Sequence, residues 1–161
     1  MFITAHAAAS AVIGKEIANP LLAFVISIVL HFVFDIIPHG DRDYCKRFFG
    51  LQFKRFSEEE KFKSMAFYSL IDTVLLVFFL LYLFKSFAWA KDDSVIWAII
   101  GGIIPDFIVA IYMLTKSRWL KGFFNFHHEN HSLIKWDFSL YGGMVFQAVI
   151  FCALVSLLYL L

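Results

Sequence analysis

Apolar residues are gathered into four long runs that are separated by short polar turns. The runs cover residues 20–37, 65–84, 94–114 and 139–161. Each is close to the ~20 helical residues that are needed to cross a hydrocarbon core of ~30 Å. Because an open chain can satisfy its backbone hydrogen bonds in lipid only as a helix, the pattern predicts four transmembrane helices.

A fifth apolar run, residues 3–14, is too short to cross a membrane. It precedes a polar turn and Pro20, and proline is favoured as the first residue of a helix. The run therefore predicts a short membrane-embedded helix that forms a hairpin with the next one. The predicted fold is an all-α integral membrane protein, a single domain over 1–161 with four transmembrane helices and a short N-terminal helix.

The composition supports a membrane protein. Hydrophobic residues make up 61% of the chain and the mean hydropathy is +0.76, whereas soluble domains are ~45–50% apolar. The formal net charge is only +1, and the lack of a basic excess argues against a nucleic-acid partner. Cys45 and Cys152 match no metal or redox spacing.

The distribution of Lys and Arg predicts the orientation. Segments 38–64 and 115–138 hold eleven of the fourteen cations, so the positive-inside rule makes them cytoplasmic and with them the N-terminus. Within these segments, residues 44–63 and 116–134 interleave basic and aromatic side chains. This pattern is typical of chain that lies in the membrane interface against lipid headgroups, so membrane lipids are the expected partners.

Several ionisable residues interrupt the apolar runs. Such groups are costly in a membrane and usually functional. With a rise of ~1.5 Å per residue, four of the helices place one at a similar depth in the cytoplasmic half, which favours a shared site over separate hydrogen-bonded groups that only fix helix register. These residues are His6, His31, Asp35, Asp72 and Asp106.

Local spacing indicates a metal site. His31 and Asp35 lie one helical turn apart on one face, and His39 follows where Pro38 ends the helix. His127 and His131 repeat the four-residue spacing. Imidazole nitrogen and carboxylate oxygen suit zinc first, with manganese or iron as alternatives. The candidate ligands are His6, His31, Asp35, His39, Asp72, Asp106, His127, His128 and His131.

This set is larger than one closed tetrahedral site needs, so one or two divalent ions are expected. A two-metal site suits phosphoester hydrolysis by metal-activated water. Glu129, Asp41 and Asp43 are candidates for the general base, and the sequence does not select among them. The motifs of zincin proteases, serine hydrolases and P-loop proteins are absent from the sequence.

Four short motifs together resemble the membrane-bound metal-dependent hydrolases related to the LexA-regulated inner-membrane hydrolase family, which are distantly similar to zinc-dependent phospholipase C. The motifs are Ala5-His6, His31-x3-Asp35 running into Pro38-His39-Gly40-Asp41, Ile104-Pro105-Asp106, and His127/His128 leading to His131-Ser132. The resemblance implies a multi-pass hydrolase of the inner membrane. Its implied substrate is a phosphoester carried by a phospholipid or a lipid-linked phosphate.

The same residues are compatible with a non-catalytic protein, either a metal or proton carrier or an interaction subunit. Buried carboxylates and histidines also form proton relays. A carrier would need polar groups on both sides of the membrane midplane, whereas here nearly all of them fall in the cytoplasmic half. This asymmetry favours a pocket that opens to one side.

Overall fold

The structure, a computed structural model, describes residues 1–40, 58–136 and 138–160. These residues form six α-helices and one 3-10 turn, Ala88–Lys91, between the third and fourth helices. The helices are α1 Ile3–Glu16, α2 Pro20–Ile36, α3 Glu58–Ser86, α4 Asp93–Thr115, α5 Lys121–Asn130 and α6 Leu140–Leu158.

The all-helical prediction is confirmed, but the number of membrane spans needs correction. Within the described residues, three helices are long and apolar enough to cross a membrane, at Ala66–Ser86, Asp93–Thr115 and Tyr141–Leu158. The predicted span at 20–37 is the 17-residue helix α2, which is ~26 Å long. Helix α2 is shorter than the predicted span because Ile37 is already extended, as is usual for a residue before proline.

Two further boundaries differ from the sequence expectation. Helix α3 begins at Glu58, seven residues before the apolar run, because Glu and Lys are good helix formers and continue the helix beyond its apolar part. The predicted interfacial segment 116–134 contains α5. Of the other predicted interfacial segment, residues 44–57 lie outside the described part of the chain.

Helix α1 is the centre of the bundle. Every residue from Thr4 to Ala11 is buried, and α1 contacts α2, α3, α4 and α6. A helix that is covered on all sides needs small or apolar residues all round, and α1 supplies them as alanines and a serine. Its small radius lets the longer helices converge around it.

Glycines allow α4 to approach its neighbours closely. A Cβ on Gly101 would overlap the backbone carbonyl oxygen of Phe24 in α2, and one on Gly102 would overlap the Ser10 hydroxyl in α1. Small residues are used in this way at helix contacts in membranes, where packing rather than the hydrophobic effect holds helices together. The contact brings the middle of α4 against α1 and α2.

The two ends of the bundle have different characters. At one end, the Lys15 ammonium lies 5.4 Å from the centre of the Trp89 ring, and Phe87 packs against Tyr159 near the end of α6. An apolar core that includes Leu83 and Val95 lies on this side. The buried ionisable residues, with α5, lie toward the other end.

Substitution of Gly101 tests the close contact between α4 and α2. We expect Gly101→Ala to destabilise the bundle by about 1–3 kcal/mol, because the added methyl meets rigid backbone. Gly122→Ala in α5 is the matched control, since its Cβ would have no neighbour within 4 Å and alanine favours a helix. Thermal unfolding in detergent micelles measures both. Equal melting temperatures would contradict the close approach.

Candidate metal centre

The carboxylate of Asp35, near the end of α2, lies at the centre of the buried ionisable residues at one end of the bundle. It is 1% exposed. Three imidazole nitrogens surround its Oδ2 atom: Nε2 of His31 at 3.0 Å, of His131 at 3.2 Å and of His127 at 3.3 Å. The α2 helix places His31 and Asp35 one turn apart, as the four-residue spacing predicts.

The other oxygen of Asp35 faces α1. Its Oδ1 atom lies 3.1 Å from Nε2 of His6 and 2.7 Å from the Met1 ammonium. Because a carboxylate only accepts hydrogen bonds, Nε2 of His6 is the donor. The His6 ring also stacks on His31 with 4.0 Å between ring centres. His6 therefore supports both Asp35 and His31 from the side that faces α1.

In the described part of the chain, two groups of side chains have donor atoms that lie close enough together to hold a metal ion. The first ligand cluster is His31, Asp35, Asp106 and His127, and the second ligand cluster is Asp35, His39 and His131. In each cluster the donor atoms lie within 4.8 Å of one another. Asp35 belongs to both clusters, so it could bridge two ions.

Helix α4 contributes Asp106 to the first ligand cluster. Its Oδ1 atom is 3.3 Å from Nε2 of His127 and 3.8 Å from Nε2 of His31. These two histidine nitrogens are 3.2 Å apart. Three helices, α2, α4 and α5, thus converge on one small volume.

Backbone carbonyls set the orientation of two of the rings. Nδ1 of His31 is 2.8 Å from the Gly102 carbonyl oxygen, and Nδ1 of His39 is 2.6 Å from that of Ile37. A carbonyl only accepts, so each Nδ1 carries a proton and Nε2 is the ring atom that would bind a metal. This is the usual arrangement behind a metal-bound histidine.

Contacts between helices bring these rings to their partners. His31 reaches the Gly102 carbonyl of α4 because the adjacent Gly101 lets α4 approach α2 closely. Asn130 at the end of α5 donates from Nδ2 to the Phe32 carbonyl oxygen at 2.8 Å. This bond fixes α5, and therefore His127, against α2.

Gln147 of α6 supports the second ligand cluster by a hydrogen bond to the backbone of His39. Its side chain is 1% exposed, donates to the His39 carbonyl oxygen at 3.0 Å and accepts from the Phe2 N–H at 2.7 Å. Gly143 lies against His39, where a Cβ would overlap the His39 carbonyl. Helix α6 thus positions the backbone of His39 without supplying a ligand.

The donor set fits a divalent cation better than a hydrogen-bond network. Three nitrogens face Oδ2 of Asp35, but one carboxylate oxygen offers only about two lone-pair sites. Oδ2 of Asp106 is also buried and has no hydrogen-bond partner among the described residues. Five of the donor separations given above are 3.0–3.3 Å, close to the ~3.3 Å between neighbouring ligands of a tetrahedral zinc ion.

The charge of His127 depends on its two carboxylate neighbours. Burial lowers its pKa, but hydrogen bonds to Asp106 and Asp35, together with their negative charges, outweigh burial and raise the pKa to about 9. In the metal-free protein the ring is therefore a cation at neutral pH. That cation partly compensates the charge of the buried carboxylates.

The structure brings together most of the ligands expected from the sequence. It also separates His127, which is buried, from His128, which is exposed and stacks on Phe124. The members that meet in the two ligand clusters are His31, Asp35, His39, Asp106, His127 and His131.

Two expected ligands have other contacts. Asp72 is in neither cluster, because its carboxylate accepts from the N–H groups of Ile3 at 2.6 Å and Thr4 at 3.2 Å and from the Thr4 hydroxyl at 2.6 Å. It therefore completes the first turn of α1, where helix N–H groups lack partners. His6 lies beside the clusters as a donor to Asp35.

The general base is not identified among the three expected residues. Glu129 is exposed. Asp41 and Asp43 lie outside the described residues. The supporting residues Asn130 and Gln147 were missed at the sequence level, although a lone glutamine in an apolar run is itself a signal for a buried polar contact.

No family model, curated protein or solved structure matches this chain.

Metal binding should release a proton from His127. A ligand imidazole must be neutral, whereas this ring has a pKa of about 9 in the metal-free protein. We expect zinc affinity to rise with pH up to about 9 and then to flatten, and binding at neutral pH to release about one proton per ion. Calorimetric titrations in two buffers with different ionisation enthalpies measure this release. Equal binding enthalpies in the two buffers would show that the ring is neutral beforehand.

Proposed function

We propose that this protein is a membrane-embedded metal-dependent hydrolase that acts on a phosphoester, with a lipid or lipid-linked phosphate as its substrate. One observation carries the proposal: five histidine and aspartate side chains converge around the buried carboxylate of Asp35. Their donor atoms lie within 4.8 Å of one another in each cluster, and the buried Oδ2 atom of Asp106 lacks a hydrogen-bond partner among the described residues.

The residues that would hold a metal divide into two groups. The first ligand cluster offers two imidazoles and two carboxylates, a nitrogen and oxygen set that suits zinc and also manganese or iron. The second ligand cluster offers two imidazoles and shares Asp35. A divalent ion at such a site supplies a nucleophilic water at neutral pH and neutralises charge on a phosphoryl group.

Access to the site is from one side. Asp106 and His131 keep 20% and 15% of their side chains exposed, whereas Asp35 and His31 keep none. A substrate phosphate would therefore approach past α5 and the end of α4. His6, on the far side of Asp35, would keep the carboxylate in place while its other oxygen binds metal.

The proposed arrangement in the membrane follows from the helices. We propose that the three long apolar helices cross the bilayer and enclose α1. The abundance of Lys and Arg in segments 38–64 and 115–138 supports a cytoplasmic orientation of this end of the bundle in an inner membrane. The resemblance to membrane-bound hydrolases, drawn from short motifs, supports the same topology and the lipidic substrate.

The two adjacent histidines of α5 provide a matched test of the metal site. His127→Ala should lower zinc affinity by more than about 100-fold, because loss of a residue that only supports a ligand already costs 10–100-fold. His128→Ala removes the same group from an exposed position and should leave zinc affinity unchanged. Elemental analysis and competitive titration with a zinc-binding dye measure both variants in detergent.

Asp35→Asn and Asp72→Asn extend this comparison to carboxylates. The first should abolish tight binding and the second should preserve it, since Asp72 contacts only the start of α1 in the described residues. If wild-type protein binds no divalent ion, the proposal fails. Equal loss in the His127 and His128 variants would show that the wrong ring has been assigned.

Hydrolysis is tested with chromogenic phosphoesters and labelled phospholipids, with zinc or manganese added. We expect phosphate-ester cleavage by the wild type and at least a ~100-fold loss in His127→Ala, in line with its metal loss. Metal binding without cleavage, together with ion flux in liposomes, would instead support the carrier alternative.

A further inference from the structure

The chain between α4 and α6 carries an unusual outer surface. Four large apolar residues on it are strongly exposed: Trp119 at 95%, Leu133 at 64%, Trp136 at 61% and Phe126 at 53%. We call these four residues the aromatic surface. Exposed apolar residues gathered in one short segment mark an interaction site rather than ordinary surface.

Basic side chains accompany the aromatic surface. Lys116, Arg118, Lys121 and Lys135 are all exposed, and Glu129 is the one acidic residue among the described positions of 116–136. Rings that sit at the level of lipid headgroups, with cations beside them, are the features that bind a segment to an anionic leaflet. The charge pattern thus selects a lipid surface rather than a neutral protein partner.

The inner face of the same segment reaches the ligand clusters. His127 and Asn130 of α5 are buried, and Asn130 is bonded to the Phe32 carbonyl of α2. Phe126 packs at its ring edge against Phe32, with 5.1 Å between centres. Only one helix, α5, therefore separates the exposed rings from the candidate metal ligands.

We propose that residues 116–136 form a docking surface for anionic phospholipid headgroups, which holds α5 in the headgroup layer and places the ligand clusters at the depth of lipid phosphates. The docking surface is inferred from the exposure and the charge of these side chains alone. Its consequence for the substrate rests on the proposed function, because a phosphoester at this depth is that of a membrane lipid and not of a soluble molecule.

Trp119 fluorescence in nanodiscs tests the docking. The full chain carries Trp119 as its single tryptophan, with the other three changed to phenylalanine, in phosphatidylcholine alone or mixed with phosphatidylglycerol. Lipids brominated near the top of the acyl chain should quench Trp119, and aqueous iodide should not. Bromine quenching should increase when phosphatidylglycerol is present.

A charge variant identifies the cause of that increase. Changing Lys116, Arg118, Lys121 and Lys135 together to glutamine should abolish the dependence on phosphatidylglycerol. A matched chain that keeps only Trp97, at the other end of α4, should show the same quenching with and without the four changes. This control establishes that the variant is still folded and inserted.

The outcomes separate this proposal from the metal-dependent function. Quenching of Trp119 by iodide and not by brominated lipid would show that the ring lies in water and would overturn the docking surface. Zinc titration in the same nanodiscs reports on the ligand clusters independently. Lipid contact without zinc binding would defeat the proposed function alone, and zinc binding with Trp119 in water would defeat the docking alone.

Discussion

The burial of one negative charge, on Asp35, governs the arrangement of the polar end of this bundle. A carboxylate removed from water is tolerated only when donors or cations surround it. Here α1 supplies His6, α2 supplies His31, α5 supplies His127, and the chain just after α5 supplies His131. Removal of any one leaves the charge less compensated, so the helices depend on one another through this residue.

Close packing makes this convergence geometrically feasible. Helix α1 has alanine at five of the seven positions from Ala5 to Ala11, and α4 presents two adjacent glycines to it and to α2. A Cβ at either glycine would overlap atoms of the facing helix, so bulkier residues there would force the helices apart. The small residues of α1 and α4 are thus part of what positions the candidate ligands.

The repeating parts of the structure were predictable from sequence. The helices follow from apolar runs, and the pairs His31–Asp35 and His127–His131 follow from the helical period, because four residues return a side chain to the same face. These pairs lie in the ligand clusters. Local periodicity was enough because each pair belongs to one helix or extends it by one residue.

The roles of Asp72 and His6 were not predictable in the same way. Both share the depth of the ligands, but depth along a helix does not specify which neighbour a side chain meets. Asp72 meets the free N–H groups at the start of α1, and His6 meets the opposite oxygen of Asp35. Such assignments depend on the rotation of each helix about its axis, which packing determines. The length of α2 was overestimated for a local reason, since Ile37 precedes a proline.

The candidate ligands belong to two parts of the structure that are held in place in different ways. His31, Asp35 and Asp106 belong to α2 and α4, which are locked together at Gly101. His127 and His131 belong to a ten-residue helix and the turn after it, held to α2 by the Asn130 bond and ring contacts. If residues 116–136 lie against lipid headgroups, as proposed above, detergent extraction alters the surroundings of α5 and the turn after it far more than those of α2 and α4. The metal content of a purified sample would then report the choice of solubilising agent as well as the chemistry of the side chains.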